Sequence, residues 1–554
     1  MKMLNLPVGV EDFKEIKENA YYVDKTLFLE QFIDAIPSTV FLITRPRRFG
    51  KSLMLSMVDY FFRFNIDTKY LFEDTNIYKL GYEYIKEINS YPVIHLNFKR
   101  IESKTYDELI YNVNLLMVSI IKEYESYLND IKAFSDKKII ESILNLEINE
   151  SFLKQSLYKI TELLYESTNK KVIVIIDEYD VPIIKSYEKG YYEEAKEFFK
   201  MFLGTALKGN NYLYKGLISG VNQIANTSIF SDLNNLRVIS IISQTQNEYF
   251  GFTELEINKL LNYYGYKNNL DEIKKWYGGY IFQGKEIYNP WSILSFIANG
   301  FQFDKYWVTT GSYSLLKKSI MKINESSYNE LSSLLYGNCL DATLKSAISL
   351  ENNADKIELY SMLVSAGYLT ARRISTTDFY FIYMPNEEIK SAFVNEILSL
   401  YSENNALTLL ANLKIAFIEG DSDKIANVLS LYVLNCFSYY DLSDERIYQI
   451  IVTTVLSILF TDSIVLSEVN SGLGRCDIYI SSKNNDKFAL IIEIKHLKGR
   501  RSIKDIESSS ISALNQIKNK GYIENALKED KKEIILYGMS FSNKNIVVKK
   551  EKYR

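Results

Sequence analysis

Cysteine is scarce in this chain: Cys339, Cys436 and Cys476 are the three in 554 residues, far apart and with no C-x-x-C pair. That excludes a zinc knuckle and a disulfide framework, and it makes the reducing cytoplasm the expected compartment. Proline is rare as well, at 7, which argues against long disordered linkers. The longest apolar run, near 450–460, falls well short of the ~20 residues a bilayer span needs. The opening Met1-Lys2-Met3-Leu4-Asn5-Leu6-Pro7 has no signal-peptide apolar region. A soluble protein without a membrane partner is expected. Excess charge is missing too, with 65 Lys and Arg against 69 Asp and Glu and a net charge of −4. Any contact with nucleic acid must therefore rest on local patches. Repeats and low-complexity tracts are absent.

What is present is ordinary globular material, 47% apolar and 24% charged, enough for two to four domains at the usual ~150 residues each. The chain is organised around Val40-Phe-Leu-Ile-Thr-Arg-Pro-Arg-Arg-Phe-Gly-Lys-Ser-Leu-Met-Leu-Ser-Met-Val58. A short apolar run, Val40 to Ile43, reads as a buried parallel strand, and Leu53, Met57 and Tyr60 read as one stripe of a helix. Between them stands Gly50-Lys51-Ser52, the tail of the phosphate-loop pattern G-x-x-x-x-G-K-[ST]. Taken strictly the pattern fails, because Arg45 stands where it has its first glycine. A bare G-K-S tripeptide is equally a basic surface turn.

Lys171-Val-Ile-Val-Ile-Ile-Asp-Glu-Tyr-Asp180 decides between the two. It delivers Asp177 and Glu178 at a second strand's carboxyl end, where open parallel sheets bind ligands. Asp177 and Ser52 then hold Mg²⁺, and Glu178 polarises the attacking water. Pro92 to Phe98, Leu213 to Ser219 and Val238 to Ile242 read as further strands, with helical stretches to about Lys170 and over Tyr191 to Lys208. His95, inside a strand, reads as a packed histidine. Asn222, after the fourth strand, is a candidate reporter of the γ-phosphate. The segment Val8 to Asp24 lines the base side of a pocket or simply covers the sheet. From about Phe250 to Asn405 the pattern turns mainly helical and aromatic, a winged-helix-like lid, with Ser402-Glu-Asn-Asn405 as a seam.

A second constellation lies near the end. Gly472 to His496 reads as two strands around an Asn484-Asn485-Asp486 turn. Side-chain alternation puts Glu493 and Lys495 on one face. A three-residue loop centred on Asn485 sets Asp477 opposite Glu493, about 5 Å apart at Cβ. Two carboxylates so close call for a cation, and hard oxygens suit Mg²⁺ or Mn²⁺. Lys495 then orients water or stabilises the pentacovalent phosphorus in phosphodiester hydrolysis. Glu445, at a helix start, is a candidate third carboxylate, although helix dipoles favour Glu there in any case. Gln516 and Lys518 on the next helix, with Lys498, Arg500 and Arg501 in a basic run, suit a nucleic-acid backbone.

These residues carry a resemblance. The Arg45-Pro46-Arg47-Arg48-Phe49-Gly50-Lys51-Ser52 loop, Ile176-Asp-Glu-Tyr-Asp180, Ser228 to Asn235, Tyr249-Phe-Gly-Phe-Thr253, Trp276-Tyr-Gly-Gly-Tyr280 and Asn289-Pro-Trp-Ser292 resemble the AAA-ATPase-like family of bacterial proteins. Members commonly end in a PD-(D/E)XK nuclease-superfamily domain, which Gly474-Arg-Cys-Asp477 and Glu493-Ile-Lys495 look like. The family's own loop has the Arg-Pro-Arg-Arg-Phe form, which accounts for the absent glycine. One departure is Gln223, where the family often has a basic residue, so no arginine-sensor role carries over. The resemblance implies an α/β protein in three parts: a parallel-sheet P-loop ATPase domain over 1–248, the helical lid over 249–405 and a restriction-endonuclease-like α/β domain over 406–554. It also implies ATP bound by the whole loop, Arg45 and Pro46 included, with Mg²⁺ as cofactor and DNA as partner, and oligomerisation is left open. Two functional classes follow, an ATP-driven DNA nuclease of defence or mobile-element biology and a regulatory NTPase whose nuclease-like domain only binds. The intact Asp477, Glu493 and Lys495 favour the first.

Overall fold

The computed structural model describes residues 3–554 apart from 129–133, 225–232, 244–247, 268–269, 308–329, 331–333, 335–337, 351–354, 375–377, 401–405, 437–444, 461–462, 484–487, 500 and 543–544. The chain divides into two compact units, Met1–Asn324 with Cys339–Lys390, and Glu325–Asn338 with Ser391–Arg554. Ser402 to Asn405, Arg500 and the turn at 484–486 lie outside the described residues.

The first unit is built on β1 (Val40–Thr44), β2 (Val93–Asn97), β3 (Val172–Asp177), β4 (Leu213–Gly220), β5 (Gln223–Ile224) and β6 (Leu236–Ile239). All but β5 form one parallel sheet in the order β2-β3-β4-β1-β6. Leu42, Ile94, Val174 and Ile218 fall in one apolar cluster, whereas Phe41, Val93, Ile175 and Leu217 fall in another. Both faces are therefore buried, which is why the strands read as unbroken apolar runs. The Lys51–Phe62 helix buries Met54, Leu55, Met57, Val58, Phe61 and Phe62. Its core stripe is thus one residue away from the expected Leu53 and Tyr60, which are only half-buried. The helical stretch before β3 is broken into Tyr106–Glu123, Glu125–Leu128, Phe134–Leu144 and Glu150–Thr168. A helix the pattern did not separate, Asp180–Lys189, follows β3 directly. His95 shares a 2.9 Å hydrogen bond with Asp59 through Nδ1, so it is a packed histidine.

Further along, the helices Glu254–Tyr263, Leu270–Tyr277 and Pro290–Ala298 surround a core containing Tyr277, Tyr288 and Phe296, with Trp276 packed against it. β7 (Tyr280–Phe282) and β8 (Lys285–Ile287) form a hairpin. β9 (Leu340–Thr343), β11 (Thr370–Arg373) and β12 (Phe379–Tyr383) form an antiparallel sheet in the order β11-β12-β9, while β10 (Ala347–Ile348) pairs with β5.

The second unit carries β13 (Ser463–Ser471), β14 (Gly474–Ser482), β15 (Phe488–His496), β16 (Glu533–Ser542) and β17 (Asn545–Lys552) in sequential order. Only the β15–β16 pair is parallel. One face packs with Val452, Val455 and Leu456 of the Glu445–Leu459 helix, and the other with Leu514 and Ile517 of the Ile503–Asn519 helix. No helix among the described residues is long and apolar enough to cross a membrane.

Candidate functional site

In the first unit the loop from β1 turns into the Lys51–Phe62 helix through Gly50, whose φ of 80° lies in the left-handed region, where a missing Cβ removes the penalty. The carboxyl ends of β1, β3 and β4 and the leading segment enclose a cavity of about 550 Å³, in the roughly 300–1,000 Å³ range of ligand pockets. Arg47, Arg48, Phe49, Gly50, Lys51 and Ser52 line it from the loop side, while Val10, Tyr21, Tyr22 and Val23 do so from the segment predicted on the base side.

Arg45 and Pro46 do not line it, which corrects their expected contact with nucleotide. Arg45 is fully buried, and its Nη1 donates to the carbonyls of Thr44 at 2.7 Å and Ile239 at 2.8 Å. Its guanidinium lies 5.2 Å from the ring centroids of Phe250 and Phe282, and burial pulls its pKa down to about 9. The residue replacing the first glycine therefore bolts the loop to the end of β6. Pro46 packs near Gly367. Phe49 is a second bolt, buried against Tyr280 and Phe282 at 5.0 and 5.4 Å. Arg48, at a φ of 68°, lays its guanidinium 4.1 Å over the Trp291 ring and donates to the Tyr306 carbonyl at 3.0 Å.

Lys51 is buried, and its Nζ donates to the Arg45 and Pro46 carbonyls at 3.0 Å each. Burial lowers its pKa, against the pull of Glu178, Asp177 and Asp180. Asp177 is 1% exposed and accepts from the Ser219 hydroxyl; it does not line the cavity, whereas Glu178 and Asp180 do. Glu178 sits at a φ of 52°, a strained setting for a non-glycine residue that costs on the order of 1 kcal/mol and concentrates at functional sites. Burial, then Asp177, raises its pKa. Asn222 lines the cavity with its Oδ1 buried and without a partner among the described residues. Asp180 went unassigned in the sequence. It accepts the backbone N–H groups of Val221 and Asn222 at 3.0 and 2.9 Å and so ties β3's exit to β4's. Its position three residues past Asp177 in Asp-Glu-Tyr-Asp was the available signal.

In the second unit the β14–β15 ladder runs in the predicted register, Ile478 opposite Ile492 and Ser481 opposite Ala489. Extended by one pair, it brings Asp477 to Glu493. There the ladder stops, and Asp477 Oδ2 accepts the Ile494 N–H at 2.7 Å instead. Glu493 is 2% exposed. Its Oε1 accepts from Lys495 Nζ at 3.3 Å and from the Gln516 amide, while Oε2 is buried without a partner among the described residues. Burial first and Asp477 second push its pKa up to about 7. Gln516, predicted at the nucleic acid, thus reaches the acid itself. Lys518 pairs with Glu551 at 2.9 Å, and the exposed Arg501 donates to the Lys498 carbonyl at 3.1 Å. Glu445 starts the Glu445–Leu459 helix, but its side chain is not among those described. One turn on, Gln449 donates to Glu468 at 3.0 Å and to the Asp477 carbonyl at 3.4 Å, a contact no sequence pattern announced. Among the described residues no group of three or more His, Cys, Asp or Glu side chains is gathered to hold a metal. The donor chemistry of Asp477 and Glu493, two hard carboxylates with one buried oxygen unmatched, nonetheless fits a divalent cation.

Comparison with known proteins agrees with this division. Residues 7–230 match the family model described as Predicted AAA-ATPase, and residues 443–551 match that of the PD-(D/E)XK nuclease superfamily. Over 406 residues the chain is 26% identical to the "Uncharacterized protein in vnfD 5'region" of Azotobacter chroococcum mcd 1, an alignment covering 72% of this chain and 71% of that protein. The chain is thus similar over residues 7–230 to the AAA-ATPase-like family and over residues 443–551 to the PD-(D/E)XK nuclease superfamily.

Proposed function

We propose that the first unit binds and hydrolyses ATP and that the second cleaves DNA phosphodiesters, the two together making an ATP-driven, metal-dependent nuclease. In the first unit Lys51 exchanges its two loop carbonyls for β/γ-phosphate oxygens, and the N–H groups of the helix start cradle the phosphates. Glu178, already in the cavity wall with its proton affinity raised, orients the attacking water and takes its proton. The Asn222 amide supplies a partner at the γ end. Ser52 and Asp177 would hold Mg²⁺.

The observation that carries the nuclease reading is Glu493, a nearly unexposed acid with one oxygen unmatched among the described residues, opposite Asp477 just past the end of the ladder and bonded to Lys495. A structural acid would have both oxygens bonded. Asp477 and Glu493 would hold Mg²⁺ or Mn²⁺, with Glu445 as a third carboxylate. The ion supplies charge neutralisation at the phosphate and a more acidic water. Gln516 and Lys495 fix the orientation of Glu493, and the Lys495 ammonium holds the water for in-line attack. The basic residues Lys498, Arg500, Arg501 and Lys518 meet the backbone of the nucleic acid.

Supercoiled, linear and single-stranded DNA incubated with Mg²⁺ or Mn²⁺, with and without ATP, tests the reading. Cleavage that needs the ion and rises with ATP supports it. No cleavage of any form, with ATP turnover intact, overturns it in favour of a regulatory NTPase with a binding-only C-terminal domain.

A further inference from the structure

We infer that Leu473, at the apex between β13 and β14, is a wedge that enters the base stack of bound DNA and unstacks a step a few base pairs from the scissile phosphate; this rests on the nuclease reading above. Leu473 is 82% exposed, on a turn that is rigidly held. Its N–H donates to the Lys520 carbonyl at 2.7 Å. Gly472 has a φ of 57°, and a Cβ there would stand 2.2 Å from the same oxygen. The Ser471 hydroxyl donates to the Tyr522 carbonyl at 2.9 Å, and the Asn525 amide donates to the Asn470 carbonyl at 3.2 Å. An isolated exposed leucine is ordinary on a surface. This one is the side chain that a clamped turn presents outward, at the end of the strand that carries Asp477.

The apex is also wired to the acid. A Cβ on Gly474 would lie 3.1 Å from the Tyr522 hydroxyl, that hydroxyl is 3.5 Å from Gln516 Nε2, and the same amide bonds Glu493. Exposed Arg475 and Lys520 flank the leucine; Lys520 supplies charge for the backbone, while Arg475, paired with Glu468 at 2.7 Å, would have to exchange that carboxylate for a phosphate. Four residues of strand, at ~3.3 Å each, separate Leu473 from Asp477. At a rise of ~3.4 Å per base the unstacked step then lies within about four steps of the cleaved bond. Apolar wedges between bases are an established way to kink a duplex, and their cost is least where the stack is already broken.

The experiment compares wild type, Leu473→Ala and Leu473→Met on two duplexes of one sequence, one fully paired and one with a mismatch near the cut, each carrying 2-aminopurine at the predicted step. Cleavage is read with Mg²⁺ and ATP, and 2-aminopurine fluorescence with Ca²⁺. The expected result for Leu473→Ala is a loss of roughly tenfold or more on the paired duplex, part of the unstacking cost expressed as rate. Its cleavage of the mismatched duplex stays within about twofold of wild type, since the stack there is already broken. The fluorescence rise vanishes in Leu473→Ala and persists in Leu473→Met. Equal losses on both duplexes, or none on either, overturn the wedge while leaving the nuclease reading standing. A wild type that cleaves neither duplex overturns the wedge, and one that also leaves supercoiled and single-stranded DNA uncut overturns the nuclease reading with it.

Discussion

The phosphate loop and the carboxylate pair are opposites in how they sit without ligand. In the loop the buried charges are matched from within: Lys51 on two carbonyls, Arg45 on two more, Asp177 on Ser219, with the uncharged Asn222 Oδ1 left unmatched among the described residues. In the hairpin Glu493 keeps one buried oxygen without a partner among the described residues and stands by a second carboxylate. A buried polar group without a partner costs free energy, and a buried charge costs more. On the proposed function, the first site rests in a largely self-satisfied state that nucleotide would have to outcompete, and the second in a strained state that a cation would relieve. The difference predicts that ligand adds much stability to the second unit and comparatively little to the first.

The largest effects should come from the strained site. Asp477→Asn and Glu493→Gln should each lower DNA cleavage by roughly a thousandfold or more, because several kcal/mol of charge stabilisation depends on the pair. Combined, they should be scarcely worse than either alone, as for groups that act as one unit. Each should also raise the thermal midpoint of the second unit in EDTA by relieving like-charge repulsion, and abolish its further rise on adding Mg²⁺. Full activity in Asp477→Asn, or a lower midpoint in EDTA, breaks the contrast.

At the self-satisfied site the effects are smaller and divisible. Lys51→Ala should cost roughly a hundredfold or more in ATP turnover, the scale of one lost oxyanion donor, and should weaken nucleotide binding. Glu178→Gln should bind nucleotide with near-native affinity yet turn it over on the order of a hundredfold more slowly. Equilibrium binding of a fluorescent ATP analogue beside steady-state turnover separates the two, and equal binding losses would show that the roles are misassigned.

The parts of the molecule legible in sequence are those where one period or one spacing governs. β1 to β4 read correctly because both faces are buried, and the β14–β15 register followed from a short turn and the two-residue period of a strand. Less legible is what depends on a side chain's destination. Arg45 reads as a phosphate ligand because a basic residue in a phosphate loop usually is one; only the tertiary pocket of Phe250 and Phe282 turns it inward. Gln516 reads as a nucleic-acid contact, yet helix packing brings it to Glu493. The stripe of the Lys51–Phe62 helix came out one residue off because Leu53, Met54, Met57 and Val58 are all apolar, leaving the phase to packing.

Arg45 sharpens the comparison directly. Arg45→Gly restores the glycine of the general phosphate-loop pattern, but it removes the guanidinium that bonds Thr44 and Ile239. The variant should lose about 2–3 kcal/mol of first-unit stability in urea unfolding, from the two charged hydrogen bonds given up, and its ATP affinity should fall rather than rise. Unchanged stability with tighter binding would mean that the bolt has no structural role.

The smallest effect tests whether burial alone, without an unmatched oxygen, makes a site. Glu388 resembles Glu493 in being nearly unexposed, and burial likewise pushes its pKa up to about 7. Yet both of its oxygens are bonded, Oε2 by the Ser292 hydroxyl and Oε1 by the N–H groups of Tyr306 and Trp307, all at 2.7 Å. With a folded pKa above the ordinary glutamate value of ~4.3, the folded state holds a proton that the unfolded chain has released between those two values. Stability from this group is thus fully present below ~4.3, declines as pH rises through about 7, and is level beyond. Glu388→Gln should flatten that decline, measured as the pH dependence of first-unit urea unfolding from pH 5 to 8, by about 2–3 kcal/mol across the window. The amide fits the same cradle, because its carbonyl can keep both N–H donors while the Ser292 hydroxyl turns to accept from the new NH₂. ATP turnover and DNA cleavage should be nearly unchanged, as expected of a buried acid whose partners are all internal. If the variant keeps the wild-type slope, the ionisation of Glu388 is not what burial opposes, and the contrast between a matched and an unmatched acid has to rest on Glu493 alone.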